Sequence, residues 1–185
     1  MKLLLHSCCA PCSAAIVEWL LENGVDFTVF FSNSNIWPDN EYLHRRAELE
    51  RHLEQLAVPF VEDDYNHIDW LAAVSGLEHE PERGNRCTQC FRFRLLRAAH
   101  YAQTNGFTHL TTTLASSRWK NIEQVNAAGL WAAEQVNVQL MLPDKLIFMD
   151  KNWRKGGLQE RRNELLRHFG FYNQQYCGCE FSVRN

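Results

Sequence analysis

The chain has 185 residues, 45% of them apolar and 22% charged, with a formal net charge of −3. That balance excludes a disordered chain and a membrane-embedded one, and the length suits one compact domain over residues 1–185. A net acidic chain is not marked as a nucleic-acid binder by overall charge.

Residues 2–5 form a short apolar run that reads as a strand and ends at the loop His6-Ser-Cys-Cys-Ala-Pro-Cys12-Ser13. Apolar positions 14, 17, 20 and 21 then share a helical face, and Asn23-Gly24 stops it. Residues 26–31 (DFTVFF) read as a second strand. A helix follows over about 41–56, with Leu49, Leu53 and Leu56 on one face. A third strand over 58–61 is demoted towards an edge by Pro59.

Residues 68–74 read as a short helix and 78–86 as a polar loop. From Cys90 the apolar residues Phe91, Leu95, Ala98 and Ala102 recur at helical spacing as far as Asn105-Gly106. Residues 109–114 (HLTTTL) read as a strand. Ile122, Val125, Ala132 and Ala133 mark a helix, 136–142 a strand, and Leu158, Leu165, Leu166 and Phe169 a last helix before Gly170. Alternating strands and helices predict an α/β fold: a mainly parallel sheet flanked by helices, Rossmann-like or HUP-like and three-layered. Ligands in such sheets bind beyond the carboxyl ends of the strands, where the first cysteine loop falls.

No apolar run reaches the roughly 20 residues of a transmembrane helix, and the N-terminal apolar run is too short for a secretory signal. The expectation is a cytoplasmic protein with no membrane contact. The seven cysteines come as CC-x-x-C, C-x-x-C and C-x-C, and in a reducing compartment such clusters point to metal binding or thiol redox chemistry.

Adjacent residues lie about 3.8 Å apart, too close for good disulfide geometry between Cys8 and Cys9. Such a pair suits two thiolates reaching one multi-atom object; the plainer alternative is small buried cysteines at a strand end. Cys87 and Cys90, read as preceding a helix, supply two more sulfurs. Four thiolates suit tetrahedral zinc or a cubane cluster, and the adjacent pair favours the larger cubane.

Gly178 gives Cys177-Gly-Cys179 the tight backbone of a redox-active pair on a C-terminal tail, around residues 171–185, that can swing; extra metal ligands or a frayed accident are the alternatives. Cys12 stays open between a helix-start thiol of lowered pKa, a ligand to a second metal and a packed side chain.

Other features carry less. The loop Asn35-Ile-Trp37-Pro38 suits stacking of a base, although the pattern favours the plainer reading of a loop anchored by Trp37 in the core. The threonines 111–113 reflect β-propensity. Lys120 reads as a phosphate contact or ordinary surface, Gly156-Gly157 as a turn, and His6 as a satisfied structural histidine. Residues 151–167 carry six basic side chains against two glutamates, which fits docking on a phosphate backbone or a solvated helix face. Trp153, Arg154, Lys155, Arg161 and Arg162 are the candidates for RNA contact.

Together "HSCCAPC", "NIWPDNEY", "RCTQCFRFRL", "TTTLASSRWKN", "WRKGG" and "FYNQQYCGC" resemble the cobalamin-independent epoxyqueuosine reductases, the QueH family, in order from residue 6 to about 182. The resemblance implies a two-electron reduction of epoxyqueuosine to queuosine at the tRNA wobble position, the last step of queuosine biosynthesis. It implies a [4Fe–4S] cluster on Cys8, Cys9, Cys87 and Cys90, and a redox-active dithiol at Cys177 and Cys179. An additional mononuclear iron is associated with the family, with Cys12 as its suspected ligand. The implied partners are tRNAs with a G-U-N anticodon (Tyr, His, Asn, Asp) and an electron donor the sequence does not identify.

The chain departs from the family pattern in two places. Ser117-Arg118 stands where many members have Ser-Pro, and Asn152-Trp153-Arg154-Lys155 where they have an acidic DF(K/R)K, which leaves Asp150 as the nearby acid. Two competing readings use the same residues. A tRNA-thiolation enzyme would need a glycine-rich phosphate loop after the first strand, where "SCCAPCS" stands. A non-catalytic RNA-binding module would use zinc on the same four cysteines as a staple.

Overall fold

The computed structural model describes residues 1–138 and 144–182. Its centre is β1 (Lys2–Ser7), where Leu3, Leu4 and Leu5 are all fully buried, as a strand covered on both faces requires. The strand runs past the expected end at Leu5 because His6 is buried too. Its Nδ1 pairs with the Thr112 hydroxyl at 2.8 Å and its Nε2 with the Ser32 carbonyl at 3.1 Å. Burial, with the nearby Arg94 cation adding to it, pushes the His6 pKa down to about 3, so the ring is neutral and structural.

From β1 the chain turns into α1 (Ala10–Glu22), earlier than the apolar face from residue 14 suggests, because Pro11 suits a helix's first turn. Then come β2 (Asp26–Phe31), α2 (Asp39–Gln55), β3 (Phe60–Glu62) and α3 (His67–Ala73). As Pro59 indicates, β3 is an edge strand; Pro59 contributes only its carbonyl, which accepts from Val29 N at 2.9 Å.

The next helix, α4 (Asn85–Thr104), begins before Cys87, so the C-x-x-C lies inside the helix and does not precede it. Its first turn is polar, which hides the start from an apolar-periodicity reading. After β4 (His109–Thr112) the expected strand end at 113–114 is instead a short 3-10 turn, Thr113–Ser116. Helix α5 (Ile122–Asn137) takes in Val136 and Asn137 of the strand expected over 136–142; residues 139–142 lie outside the described residues. A two-residue β5 (Ile147–Phe148), α6 (Leu158–Phe169) and a 3-10 turn at Glu180–Ser182 complete the chain.

Among the described residues five strands form one parallel sheet in the order β3-β2-β1-β4-β5. Helices α1, α2 and α6 pack together, with α6 on α1, and α4 packs on α5, giving the expected three-layer α/β arrangement. Strand order reverses between β1 and β4, so the connections leaving their carboxyl ends depart in opposite directions and leave a crevice there. Among the described residues no helix is long and apolar enough to cross a membrane.

Candidate active site

The crevice at the β1/β4 reversal is where the first three cysteines sit. Cys8 and Cys9 are the whole connection between β1 and α1, and Cys12 lies in the first turn of α1. Side chains from the loop after β2, from α1 and from the 3-10 turn after β4 fix this connection. Asn33 Nδ2 donates to the Ser7 carbonyl at 2.9 Å, and Ser13 Oγ to the Cys9 carbonyl at 2.7 Å. The Cys8 N–H donates to Thr113 Oγ1 at 3.3 Å, stitching the two sides of the crevice together. Thr112 and Thr113 thus hold the site, a role that β-propensity does not announce.

The Cys8 and Cys9 sulfurs are 3.7 Å apart as free thiols, and with Cys12 all three sulfurs fall within 4.8 Å of one another. Cys12 therefore has partners, and they are its two loop neighbours. As a metal-binding group this triad is compact and mostly buried.

Helix α4 supplies a second wall, with Cys87 and Cys90 spaced i, i+3 on one face. The Arg83 N–H donates to the Cys87 sulfur at 3.2 Å. The C-terminal tail supplies the third wall, with Cys177 and Cys179 packed beside Trp70, and Cys179 beside the buried Cys90. All seven cysteines line one cavity of about 510 Å³.

The tail is fastened rather than free to swing as expected. The Trp37 N–H donates to the Gly178 carbonyl at 2.9 Å, and Tyr176 Oη donates to the Trp37 carbonyl at 2.5 Å. Arg45 donates to the Tyr176 and Cys177 carbonyls at 3.2 and 3.3 Å, and His67 pairs with Glu180 at 2.9 Å. Gly178 has a φ of +104°, and a Cβ there would meet Ile36 at 2.8 Å, so the middle residue of C-G-C must be glycine.

In two of the three thiol groups one sulfur is favoured as the anion. Hydrogen bonds from Cys12 and Cys9 hold Cys8 well below the usual thiol range, with the Lys120 and Arg94 charges helping against burial. Cys9 is raised by burial, and Cys12 is pushed up to about 11 by its bond to Cys8, so Cys12 is not the lowered helix-start thiol. A hydrogen bond from Cys179, with Lys120 opposing burial, brings Cys177 down to about 5, while Cys179 is raised by the same pairing. Burial raises Cys90 and pushes Cys87 up to about 11.

Lys120 is not ordinary surface, because it lines the cysteine cavity. Burial lowers its pKa, but negative charge on the sulfurs around it, Cys8 first, outweighs that, and its ammonium is held above the ordinary value. Among the described residues, seven basic side chains line the cavity, Lys120 and six arginines (45, 83, 86, 94, 118 and 162), against one acid, Glu82. Such a wall attracts anions and offsets the charge of several thiolates.

Several sequence candidates land elsewhere. Trp153 is 1% exposed, donates to Thr111 Oγ1 at 3.2 Å and packs edge-on against Trp19, so it belongs to the core and cannot stack on RNA. Arg161 is paired with Glu18 and Glu164 and does not line the cavity. Arg154 donates to the Ser117 and Lys120 carbonyls. Arg162 alone of that group lines the cavity, and Lys155 is exposed outside it. Trp37 is 42% exposed; its neighbour Ile36, 1% exposed, is the core anchor of that loop. Asp150 is exposed and, like Asn152, does not line the cysteine cavity. Gly156 and Gly157, both with positive φ, form the turn before α6.

A family model described as epoxyqueuosine reductase QueH matches residues 3–185. The chain is similar to three proteins bearing the name epoxyqueuosine reductase QueH. That of Histophilus somni is 46% identical over 184 residues, spanning 100% of this chain and 73% of the relative. That of Acinetobacter baylyi is 47% identical over 184 residues, spanning 100% and 81%. That of Thermotoga maritima is 31% identical over 183 residues, spanning 97% and 89%.

Proposed function

This chain belongs to the epoxyqueuosine reductase QueH family, and we propose on that premise that it reduces epoxyqueuosine to queuosine on the wobble nucleotide of tRNAs with a G-U-N anticodon, in the cytoplasm. The observation that carries the reading is the convergence of all seven cysteines on one basic cavity at the strand-order reversal. The reaction breaks both C–O bonds of the epoxide, consumes two electrons and two protons, and releases the oxygen as water.

Cys8, Cys9, Cys87 and Cys90 are the residues that would hold a [4Fe–4S] cluster, with Cys12 serving a neighbouring mononuclear iron. The donor set fits such groups: the thiols are soft ligands, Cys8 already favours the thiolate, and Lys120 and Arg94 offset the negative charge. When bound, these groups supply single electrons and a Lewis acid for the ring oxygen.

The chain's own residues do the rest. Oxidation of the Cys177 thiolate and the Cys179 thiol to a disulfide forms one S–S bond and releases the two electrons that the reduction consumes together with one proton, the second proton coming from solvent. Cys177, the thiolate of the pair, is the sulfur poised to attack in exchange with the donor that restores the dithiol. Lys120 keeps that thiolate charged, and the fastened tail keeps both sulfurs at the cavity wall throughout.

The test is anaerobic purification followed by iron, sulfide and zinc analysis, with single-turnover assays on epoxyqueuosine tRNA and a chemical reductant. The expected protein is brown, contains iron and sulfide, and converts its substrate. Cys8→Ala and Cys90→Ala lose both the colour and the conversion. The Cys177→Ser/Cys179→Ser double variant keeps the colour but loses multiple turnover. A colourless zinc protein that converts nothing would overturn the proposal and leave a stapled RNA-binding module.

A further inference from the structure

The mouth of the cysteine cavity carries one aromatic side chain that the reaction does not use. Trp119 lines the cavity, yet 65% of it is exposed. Leaving that much indole in water forfeits burial worth having, since a fully buried aromatic is among the largest contributors to a core. Its backbone is nevertheless tightly held. Arg83 donates from Nε to the Trp119 carbonyl at 2.9 Å and from the guanidinium to the Arg118 carbonyl at 3.4 Å. Arg154 donates to the carbonyls on either side, Ser117 and Lys120, the latter at 2.9 Å. Lys120 N closes the turn on the Ser117 carbonyl at 3.2 Å.

Two arginines from separate segments therefore preorganise the four-residue turn 117–120. From it Lys120 reaches the thiolates, while Trp119 stands at the rim with the Arg118 guanidinium 5.0 Å from its ring centroid. A rigid turn that presents one flat aromatic and one planar cation beside a basic cavity has the chemistry of a stacking platform for single-stranded nucleic acid.

We propose that Trp119 stacks on a nucleobase adjacent to the reacting nucleotide in the single-stranded anticodon loop, with Arg118 backing the ring and the basic rim holding the phosphates. This rests on the reading of the chain as an enzyme acting on tRNA. A cavity of about 510 Å³ admits one nucleotide, so the reacting base must leave the loop's stack. Its neighbour then loses a stacking partner, and the Trp119 ring restores one. The single acid among the described cavity-lining residues, set against seven bases, favours a polyanion over an acidic-residue-poor peptide as the occupant.

The test uses the metal-loaded full chain and an unmodified anticodon stem-loop RNA, so that binding is read without chemistry, at several salt concentrations. Trp119→Ala is expected to raise the dissociation constant about tenfold or more. Trp119→Phe keeps it within about threefold of the natural chain, and Leu43→Ala, an exposed apolar side chain outside the cavity, leaves it alone. The slope of log affinity against log salt stays the same in Trp119→Ala, because stacking releases no counterions. Three results would each overturn the proposal: unchanged affinity in Trp119→Ala, equal losses in Trp119→Ala and Trp119→Phe, or a slope reduced by about one. A chain that reduces epoxyqueuosine with an affinity indifferent to Trp119 loses the stack and keeps the reductase reading. A chain that binds RNA through Trp119 without reducing epoxyqueuosine does the reverse.

Discussion

Arg45 joins helix α2 to the redox tail: its guanidinium donates to the Cys177 carbonyl at 3.3 Å while its other face is paired with Glu41 at 2.6 Å. Both side chains are nearly buried, at 3% and 12% exposure, so the pair is protected from solvent screening. Replacing Arg45 by Ala leaves the Glu41 charge and two tail carbonyls without this partner, a loss on the order of 3 kcal/mol. That loss falls on the tail, because among the described residues the Arg45 hydrogen bonds that leave α2 go to the Tyr176 and Cys177 carbonyls. Limited proteolysis is expected to cut Arg45→Ala between residues 170 and 182 at least tenfold faster than the natural chain, with the sheet still protected. Arg45→Lys, which cannot make the forked contact, falls in between. Equal cutting rates would show that the tail is held by Trp37 and His67 alone.

The Cys177 and Cys179 thiols should differ sharply in reactivity. Cys177 titrates at about 5, since Cys179 donates a hydrogen bond to it and the Lys120 charge lies nearby, whereas its partner is raised. In the reduced, metal-free chain, iodoacetamide should label Cys177 first, at a rate nearly constant from pH 6.5 to 8. Lys120→Met removes a cation that stabilises the thiolate, so the Cys177 midpoint moves up and labelling at pH 6 slows. Peptide mapping of the labelled residues checks both statements, and faster labelling of Cys179 would contradict the assignment.

Gly129 lies in α5, where its missing side chain admits the Phe148 ring of β5. A Cβ at that position would come within 2.0 Å of the ring. Helix propensity favours alanine by about 1 kcal/mol, but overpacking a filled core costs about 1–3 kcal/mol, and a ring in β5 cannot withdraw without opening the core. Gly129→Ala is therefore expected to be net destabilising, by about 1–2 kcal/mol in urea denaturation. A stabilised variant would mean that the ring moves aside cheaply.

What the sequence made legible follows from what each signal measures. The strand at 26–31 was readable to the residue because a β-rich run is bounded by turn residues on one side and by the sheet's end on the other. The vicinal cysteines at a strand end pointed to the crevice, because parallel sheets place loops there. The start of α4 was hidden because its first turn is polar and capped by Gly84 without a side-chain bond. β5 was missed because two residues carry no period. The role of Lys120 and the fastening of the tail by Arg45 join residues far apart in the chain, and no local pattern reports such contacts. Trp153 misled for the opposite reason: a tryptophan among basic residues looks like an RNA contact until its neighbours, Trp19 and Thr111, are known.

His52, 5% exposed on α2, is packed edge-on against Phe169 and Phe171 at 4.9 and 5.0 Å. Burial lowers its pKa below the ordinary 6.5, and the Glu18 carboxylate only partly opposes this. A histidine whose folded pKa is depressed stabilises the fold fully above its unfolded pKa. That contribution drains away as pH falls from 6.5 towards the folded value, because the unfolded chain takes up the proton first. The melting temperature should thus drop between pH 7.5 and 5.5 with a share due to this one ring. His52→Phe preserves the aromatic packing and removes the titration, so its melting temperature should fall less over the same interval. Differential scanning calorimetry at four pH values checks the comparison. Parallel curves for the two proteins would assign the acid sensitivity to other groups and leave His52 as packing alone.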